Sequence, residues 1–169
     1  MWSSTRLWSF FWIFLLFLLQ NTLHFIFPFE IFPFLLVGVI FYALSEGPFF
    51  GWVIGSYAGF FLDLLGIGRI GPQVCLYGFV GAFSGWSAST LFRDSLWTQI
   101  LFPVVLNAAL LILTPLVLQD FLWEERGFIF FSTGAEWRSM LLALFLSPWL
   151  FRFLKAVSFA PRERSLRWR

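Results

Sequence analysis

The sequence is poor in the residues on which soluble enzymes and metalloproteins depend. Only 12% of its 169 residues are charged, while 60% are hydrophobic and the mean hydropathy is +0.85. A soluble domain of this size could not cover its surface with so few charges. The single cysteine, Cys75, excludes a disulfide framework, and the single histidine, His24, excludes a multi-histidine metal site. The composition predicts one polytopic membrane domain, residues 1–169, without a cofactor.

Motifs that carry catalysis are also missing. The sequence contains no HExxH or HxxxH pair, no phosphate-binding Gly-Lys loop and no nucleophile elbow. An intramembrane hydrolase or proton relay needs several ionisable residues at depth, and the apolar runs offer little besides Asp63. We therefore expect no enzymatic activity. No small-x-small cleavage site follows the first apolar run, so we interpret that run as a retained membrane span rather than a signal peptide.

Apolar runs divide the chain into six predicted transmembrane helices. They cover about residues 7–27, 32–44, 48–65, 72–91, 96–118 and 140–157, with a basic tail at 158–169. The second is short for a bilayer core of about 30 Å, so it either lies buried beside longer helices or sits where the membrane thins.

The basic residues orient this topology. With six spans, eight of the 11 Lys and Arg residues fall on the side of the two termini, which the positive-inside rule makes cytoplasmic. The protein is therefore expected in a cytoplasmic membrane. The tail is interpreted as a topology anchor that also attracts anionic lipid, rather than as a nucleic-acid-binding segment.

Glycine recurs at every fourth position at the start of the third span. The series is Gly47, Gly51, Gly55 and Gly59, and its next step is Asp63. An i, i+4 series stays near one face of a helix. The fourth span carries a second small-residue face with Gly78, Gly81 and Gly85. Because small residues let helix backbones approach closely in lipid, the two spans are predicted to form an antiparallel hairpin packed glycine to glycine.

Asp63 ends the glycine series one turn before the end of its span. Three roles are open to it: accepting hydrogen bonds from the free amides at the start of the fourth span near Gly71, pairing with Arg69 across the turn, or presenting a charge to a partner or ion. The first two are structural and are preferred.

Other polar residues lie inside the predicted spans. Asn107 is in the middle of the fifth span, four residues after Pro103, and Gln20 and Asn21 lie late in the first. Polar groups at membrane depth are functional candidates by default. For Asn107, internal hydrogen bonding beside a proline kink is preferred to ligand binding. For Gln20 and Asn21, hydrogen bonding between helices is preferred to ligand binding.

The segment from Gly51 to Gly85 resembles the central signature of the MreD family of bacterial rod shape-determining membrane proteins. In that family a glycine-rich helix ends in Gly-x-x-x-Asp, and a short turn leads to a glycine that opens the next helix. Gly59, Asp63 and Gly71 match those positions. The polar residues Gln20 to Thr22, Pro33, the chain length and the basic tail are similar too.

The resemblance implies a non-enzymatic component of the cell-elongation machinery for lateral peptidoglycan synthesis. Its expected partners are membrane lipid and MreC, and in the wider complex RodA, a class B penicillin-binding transpeptidase and MreB. The implied fold is all-α with six transmembrane helices, similar to the substrate-binding S components of energy-coupling-factor transporters.

A second hypothesis is a solute transporter or an S component itself. S components typically dock through small residues on the first span, but Leu7 to Phe27 contains neither alanine nor glycine. A carrier should also line a cavity with several polar side chains, whereas the expected interior offers mainly Asn107, Gln73 and Tyr77. Both points favour the membrane adaptor.

Overall fold

The computed structural model describes residues 4–26, 33–65, 71–88, 96–119 and 135–157. Within these ranges the chain is all-helical, as predicted. The six helices are α1 (Ser4–Ile26), α2 (Phe34–Glu46), α3 (Pro48–Leu65), α4 (Pro72–Ser87), α5 (Leu96–Gln119) and α6 (Ala135–Val157).

Two of these helices differ most from the spans expected from hydropathy. α6 begins at Ala135, about five residues before the predicted start at 140, and its first turns include Glu136 and Arg138. Charged residues lower hydropathy but favour helix formation as well as apolar residues do, so the helix extends past the apolar run. α4 ends at Ser87, before the predicted end at 91. A helix ends where its backbone hydrogen bonding ends, and hydropathy does not report that position.

α2 lies at the centre of the bundle. Every residue from Phe34 to Leu44 is buried, and α2 contacts each of the other five helices. Its 13 residues span only about 20 Å. Of the two explanations for a short second span, burial beside longer helices is therefore the observed one.

The other helices turn large apolar side chains outward. Exposed examples, one from each of α1, α3, α4, α5 and α6, are Trp8, Phe49, Phe79, Ile112 and Phe145. Soluble monomers rarely expose contiguous apolar surface on this scale, because it is unfavourable in water. The exterior is suited to contact with lipid or with other apolar helices.

Two helices are long and apolar enough to cross a membrane by length and composition, within the part of the chain described. They are Leu7–Ile26 of α1 and Pro48–Leu65 of α3. α2 and the segment Ile100–Thr114 of α5 are apolar but shorter. The six described helices equal the predicted spans in number, and two of them satisfy this criterion individually. That all six cross the membrane stays a prediction.

Candidate functional site

α3 and α4 form an antiparallel hairpin and make the most extensive helix–helix contact among the described residues. The glycines meet the opposite backbone at regular steps. A Cβ on Gly51 would collide with the carbonyl oxygen of Gly81, one on Gly55 with that of Tyr77, and one on Gly59 with that of Gln73. Each step of four residues along α3 is matched by four residues back along α4, so one register holds along the hairpin.

The contact is made by backbone on both sides. The Gly51 and Gly81 relation is reciprocal, since a Cβ on Gly81 would in turn meet the carbonyl oxygen of Gly51. The glycine hydrogen that takes the place of each side chain therefore points at a carbonyl oxygen. Such Cα–H···O contacts contribute about 0.5–1 kcal/mol each. A methyl group at these positions would have to displace backbone, which cannot move independently of its helix.

Two glycines, Gly47 and Gly78, depart from a uniform stripe of helix backbone contacts. Gly47 is not part of α3: it is the single residue between α2 and α3, with a φ of +98° that side-chain-bearing residues rarely adopt. Its backbone still packs against α4, because a Cβ on Gly85 would lie 2.5 Å from the Gly47 carbonyl carbon. Gly78 differs as well, since it faces the side chains of Ser56 and Trp52 rather than backbone.

Asp63 links the two helices at the end of the hairpin where the chain passes from α3 to α4. Its Oδ2 accepts hydrogen bonds from the backbone N–H groups of Gly71 at 2.8 Å and Val74 at 3.1 Å, and its Oδ1 accepts one from Gln73 at 3.1 Å. The side chain is only 7% exposed. The carboxylate thus caps the N-terminus of α4 from the neighbouring helix, where its charge also meets the positive end of the helix dipole.

These bonds complete the hydrogen bonding at the start of α4. The first helical residue is Pro72, which has no N–H, and Gln73 and Val74 donate to Asp63. The N–H of Cys75 then donates to the carbonyl of Gly71, at 3.0 Å. Gly71 itself has a φ of +136°, a conformation that favours glycine. Every donor of the first turn is therefore satisfied without help from a ligand.

A second cap between helices joins α1 to α2. The side-chain oxygen of Gln20 in α1 accepts a hydrogen bond of 3.0 Å from the N–H of Leu35, in the first turn of α2. This bond is of the kind expected for Gln20. Asn21 behaves differently from the expectation, because its amide donates within α1 to the carbonyl of Phe17. A helix carbonyl four residues away is always within reach of such a side chain, whereas a partner helix is not.

Two further residues predicted from the sequence are Asn107 and Arg69. Asn107 is buried in α5, with 7% of its surface exposed. Arg69 falls outside the described residues, as do the tail at 158–169 and most of the 119–139 connection. Tyr42 and Ser147 bury hydroxyl oxygens that have no hydrogen-bond partner in the described part of the chain. No pattern in the sequence distinguishes these two hydroxyls from others.

The chemistry available to this site is that of packing and capping. Within the described ranges no three His, Cys, Asp or Glu side chains come together as a metal site would need. Asp63 directs both carboxylate oxygens at backbone amides of its own chain. The hairpin is therefore built as a rigid structural unit.

The fold and the hairpin define a class of all-helical membrane proteins that are held together by close glycine packing. The chain belongs to the MreD family: the family model for the rod shape-determining protein MreD matches residues 3–157, a range that contains all six helices. No curated protein and no solved structure matches the chain. The resemblance stated from the Gly51–Gly85 segment is thereby confirmed, and membership implies a bacterial membrane protein of shape determination, a family not known for enzymatic activity.

Proposed function

We propose that this protein is a non-enzymatic scaffold of the cell-elongation complex that binds MreC in the inner membrane. Through MreC it associates with RodA, the class B transpeptidase and MreB, and so supports lateral peptidoglycan synthesis. All 169 residues belong to one six-span domain with both termini in the cytoplasm. Family membership across all six helices supports the shape-determining role.

The main support for the scaffold role is that Asp63 forms hydrogen bonds with backbone amides of its own chain. This carboxylate is the acidic group of the α3–α4 hairpin, and both of its oxygens accept hydrogen bonds from backbone amides at the start of α4, those of Gly71, Gln73 and Val74. A catalytic or ion-carrying carboxylate needs a free oxygen that faces a substrate or a water-filled path. Asp63 instead holds the hairpin in one shape, which is what a protein-binding surface requires.

The helix arrangement supports the six-span topology. α2 lies inside the bundle, so its length of about 20 Å does not have to match the bilayer. The outward faces of the other helices are apolar along most of their length. The likeness to transporter S components stays a prediction.

Binding to MreC is tested by co-purification from native membranes. We expect MreC to accompany the wild-type protein and a Phe79→Leu variant, which changes an exposed side chain on α4. An Asp63→Ala variant should recover less MreC because α4 loses its cap. Recovery of MreC at background level with the wild-type protein would contradict the proposal.

Topology is tested with the native cysteine. Cys75 is exposed in the first turn of α4, which the proposed orientation places at the outer surface. A membrane-impermeant maleimide should therefore label spheroplasts that carry the wild-type protein, and a Cys75→Ser variant should stay unlabelled. Labelling only after the membrane is permeabilised would reverse the proposed orientation.

A further inference from the structure

The exposed face of α6 carries an arginine at an unexpected depth. Arg152 is exposed, although it lies five residues before the end of α6. Its level in the bundle follows from contacts to α1. The rings of Trp12 and Phe153 meet at a centroid distance of 6.0 Å, which sets Arg152 level with Ile13 in antiparallel helices.

A second route through α2 gives the same level. Gln20 is bonded to Leu35, so Phe41, six residues further along α2, is level with Phe14 on α1. The ring of Phe41 contacts that of Phe151 at 5.4 Å. Phe151 is therefore level with Phe14, and Arg152 is again level with Ile13. The two routes share no contact.

This level lies well inside the apolar run of α1. That run extends over 20 residues from Leu7 to Ile26, or about 30 Å. Arg152 is level with a point six residues from its cytoplasmic end, which is about 9 Å inside. Arg138, which is also exposed, lies 14 residues before Arg152, or about 21 Å further along α6 in the outward direction. The apolar stretch of α6 between its two arginines is thus about 20 Å long, and the shortfall is on the cytoplasmic side.

Aromatic side chains continue this face toward the middle of the membrane. Trp149 lies one turn from Arg152, is 65% exposed and stacks on Phe153 at 6.0 Å with an interplanar angle of 12°. Phe145 follows one turn further and is 75% exposed. Residues three and four apart share a helix face, so a cation and a strip of rings lie in line along α6.

We propose that this face binds one anionic phospholipid of the cytoplasmic leaflet. The Arg152 guanidinium holds the headgroup phosphate, for which its paired N–H donors are suited, and an acyl chain lies along Trp149 and Phe145. Charge complementarity supports an anionic headgroup, because Lys155 is exposed one turn further and four arginines follow in the tail at 158–169. The headgroup is drawn inward, so the cytoplasmic leaflet is locally thin beside α6. The inference depends on the proposed orientation but not on MreC.

Native mass spectrometry of the purified protein with equimolar phosphatidylglycerol and phosphatidylcholine tests the site. The wild-type protein should retain phosphatidylglycerol in preference, and Arg152→Gln should lower that preference about three-fold or more. The matched control, Arg138→Gln, removes the exposed arginine at the other end of α6 and should keep the wild-type ratio. Equal retention of both lipids by the wild-type protein, or equal losses in the two variants, would overturn the proposal.

A second measurement uses the wild-type protein alone, in case a variant does not fold. Phosphatidylglycerol added to the detergent-solubilised protein should raise its thermal unfolding temperature more than phosphatidylcholine does. The same rise with both lipids would also reject the site. MreC recovery is measured in native membranes without added lipid, so failure of the lipid site and failure of the proposed function are distinguishable.

Discussion

Two pairs of packed helices in the described part of the chain, the hairpins α3–α4 and α5–α6, are built on different principles. In α3–α4, glycines bring backbone against backbone, and a buried carboxylate closes one end. In α5–α6, whose two helices contain no glycine, the buried positions are side chains such as Leu106, Leu110, Ala143 and Leu150. Side chains can change rotamer when a neighbour changes, but a helix backbone cannot. We therefore infer that α3–α4 is the rigid hairpin and that α5–α6 tolerates side-chain substitutions better.

The two hairpins should differ most in how they respond to a larger side chain at a buried position. Gly59→Leu should prevent stable folding or complex assembly, because the new side chain would meet the backbone of Gln73 and Val74 and force α3 and α4 apart. We expect the same of Gly55→Leu. Ala143→Leu adds the same kind of bulk at a fully buried position of α6, and it should cost about 1–3 kcal/mol while the protein still accumulates.

Accumulation in membranes and recovery of MreC measure this difference. Normal accumulation and MreC recovery for both glycine variants would contradict a backbone contact in α3–α4. Loss of the Ala143→Leu protein to the same degree would remove the contrast between the hairpins.

Effects of intermediate size are expected when either of the two caps between helices is removed. Asp63→Ala leaves the amides of Gly71, Gln73 and Val74 without their acceptor, and we expect a loss of about 2–4 kcal/mol in unfolding free energy. Gln20→Ala removes one bond, to Leu35, and should cost about 1 kcal/mol. Equilibrium unfolding in mixed micelles measures both. Equal losses would show that the number of capped amides does not set the stability of this end of the bundle.

The smallest effect is expected in α6. The Ser147 hydroxyl is fully buried without a hydrogen-bond partner among the described residues. Ser147→Ala removes an unpaired polar group and little volume, so the unfolding free energy should stay within about 0.5 kcal/mol or rise. The same unfolding assay applies. A loss above about 1 kcal/mol would reveal a partner for this hydroxyl.

Local patterns predicted much of the hairpin. The four-residue spacing of Gly51, Gly55 and Gly59 specified a bare helix face, and the free amides that begin any helix explained why a nearby Asp63 would turn toward them. Gly47 fits the same four-residue spacing, although it forms the junction before α3 and is not part of that helix. Spacing records the period of a helix but not the residue at which the helix begins.

Contacts between particular residues of distant segments could not be predicted from local sequence patterns. The sequence predicted hydrogen bonding between helices for both Gln20 and Asn21, yet only Gln20 reaches α2, because the direction of a side chain around α1 depends on where α2 docks. The depth of Arg152 was equally hidden, since hydropathy orders residues along one helix and does not align two helices.

The sequence by itself determined the membrane class, the helical content and the family of this protein. These follow from composition, from the length of apolar runs and from a glycine series that ends in a carboxylate, all of which are local along the chain. Only the tertiary structure decided that the short α2 is the buried centre of the bundle and that both oxygens of Asp63 accept hydrogen bonds at the start of α4. It also decided that Arg152 lies level with a point inside the apolar run of α1. Each of these depends on which helices are neighbours and in what register they pack, and packing is a property of pairs of surfaces rather than of any one segment.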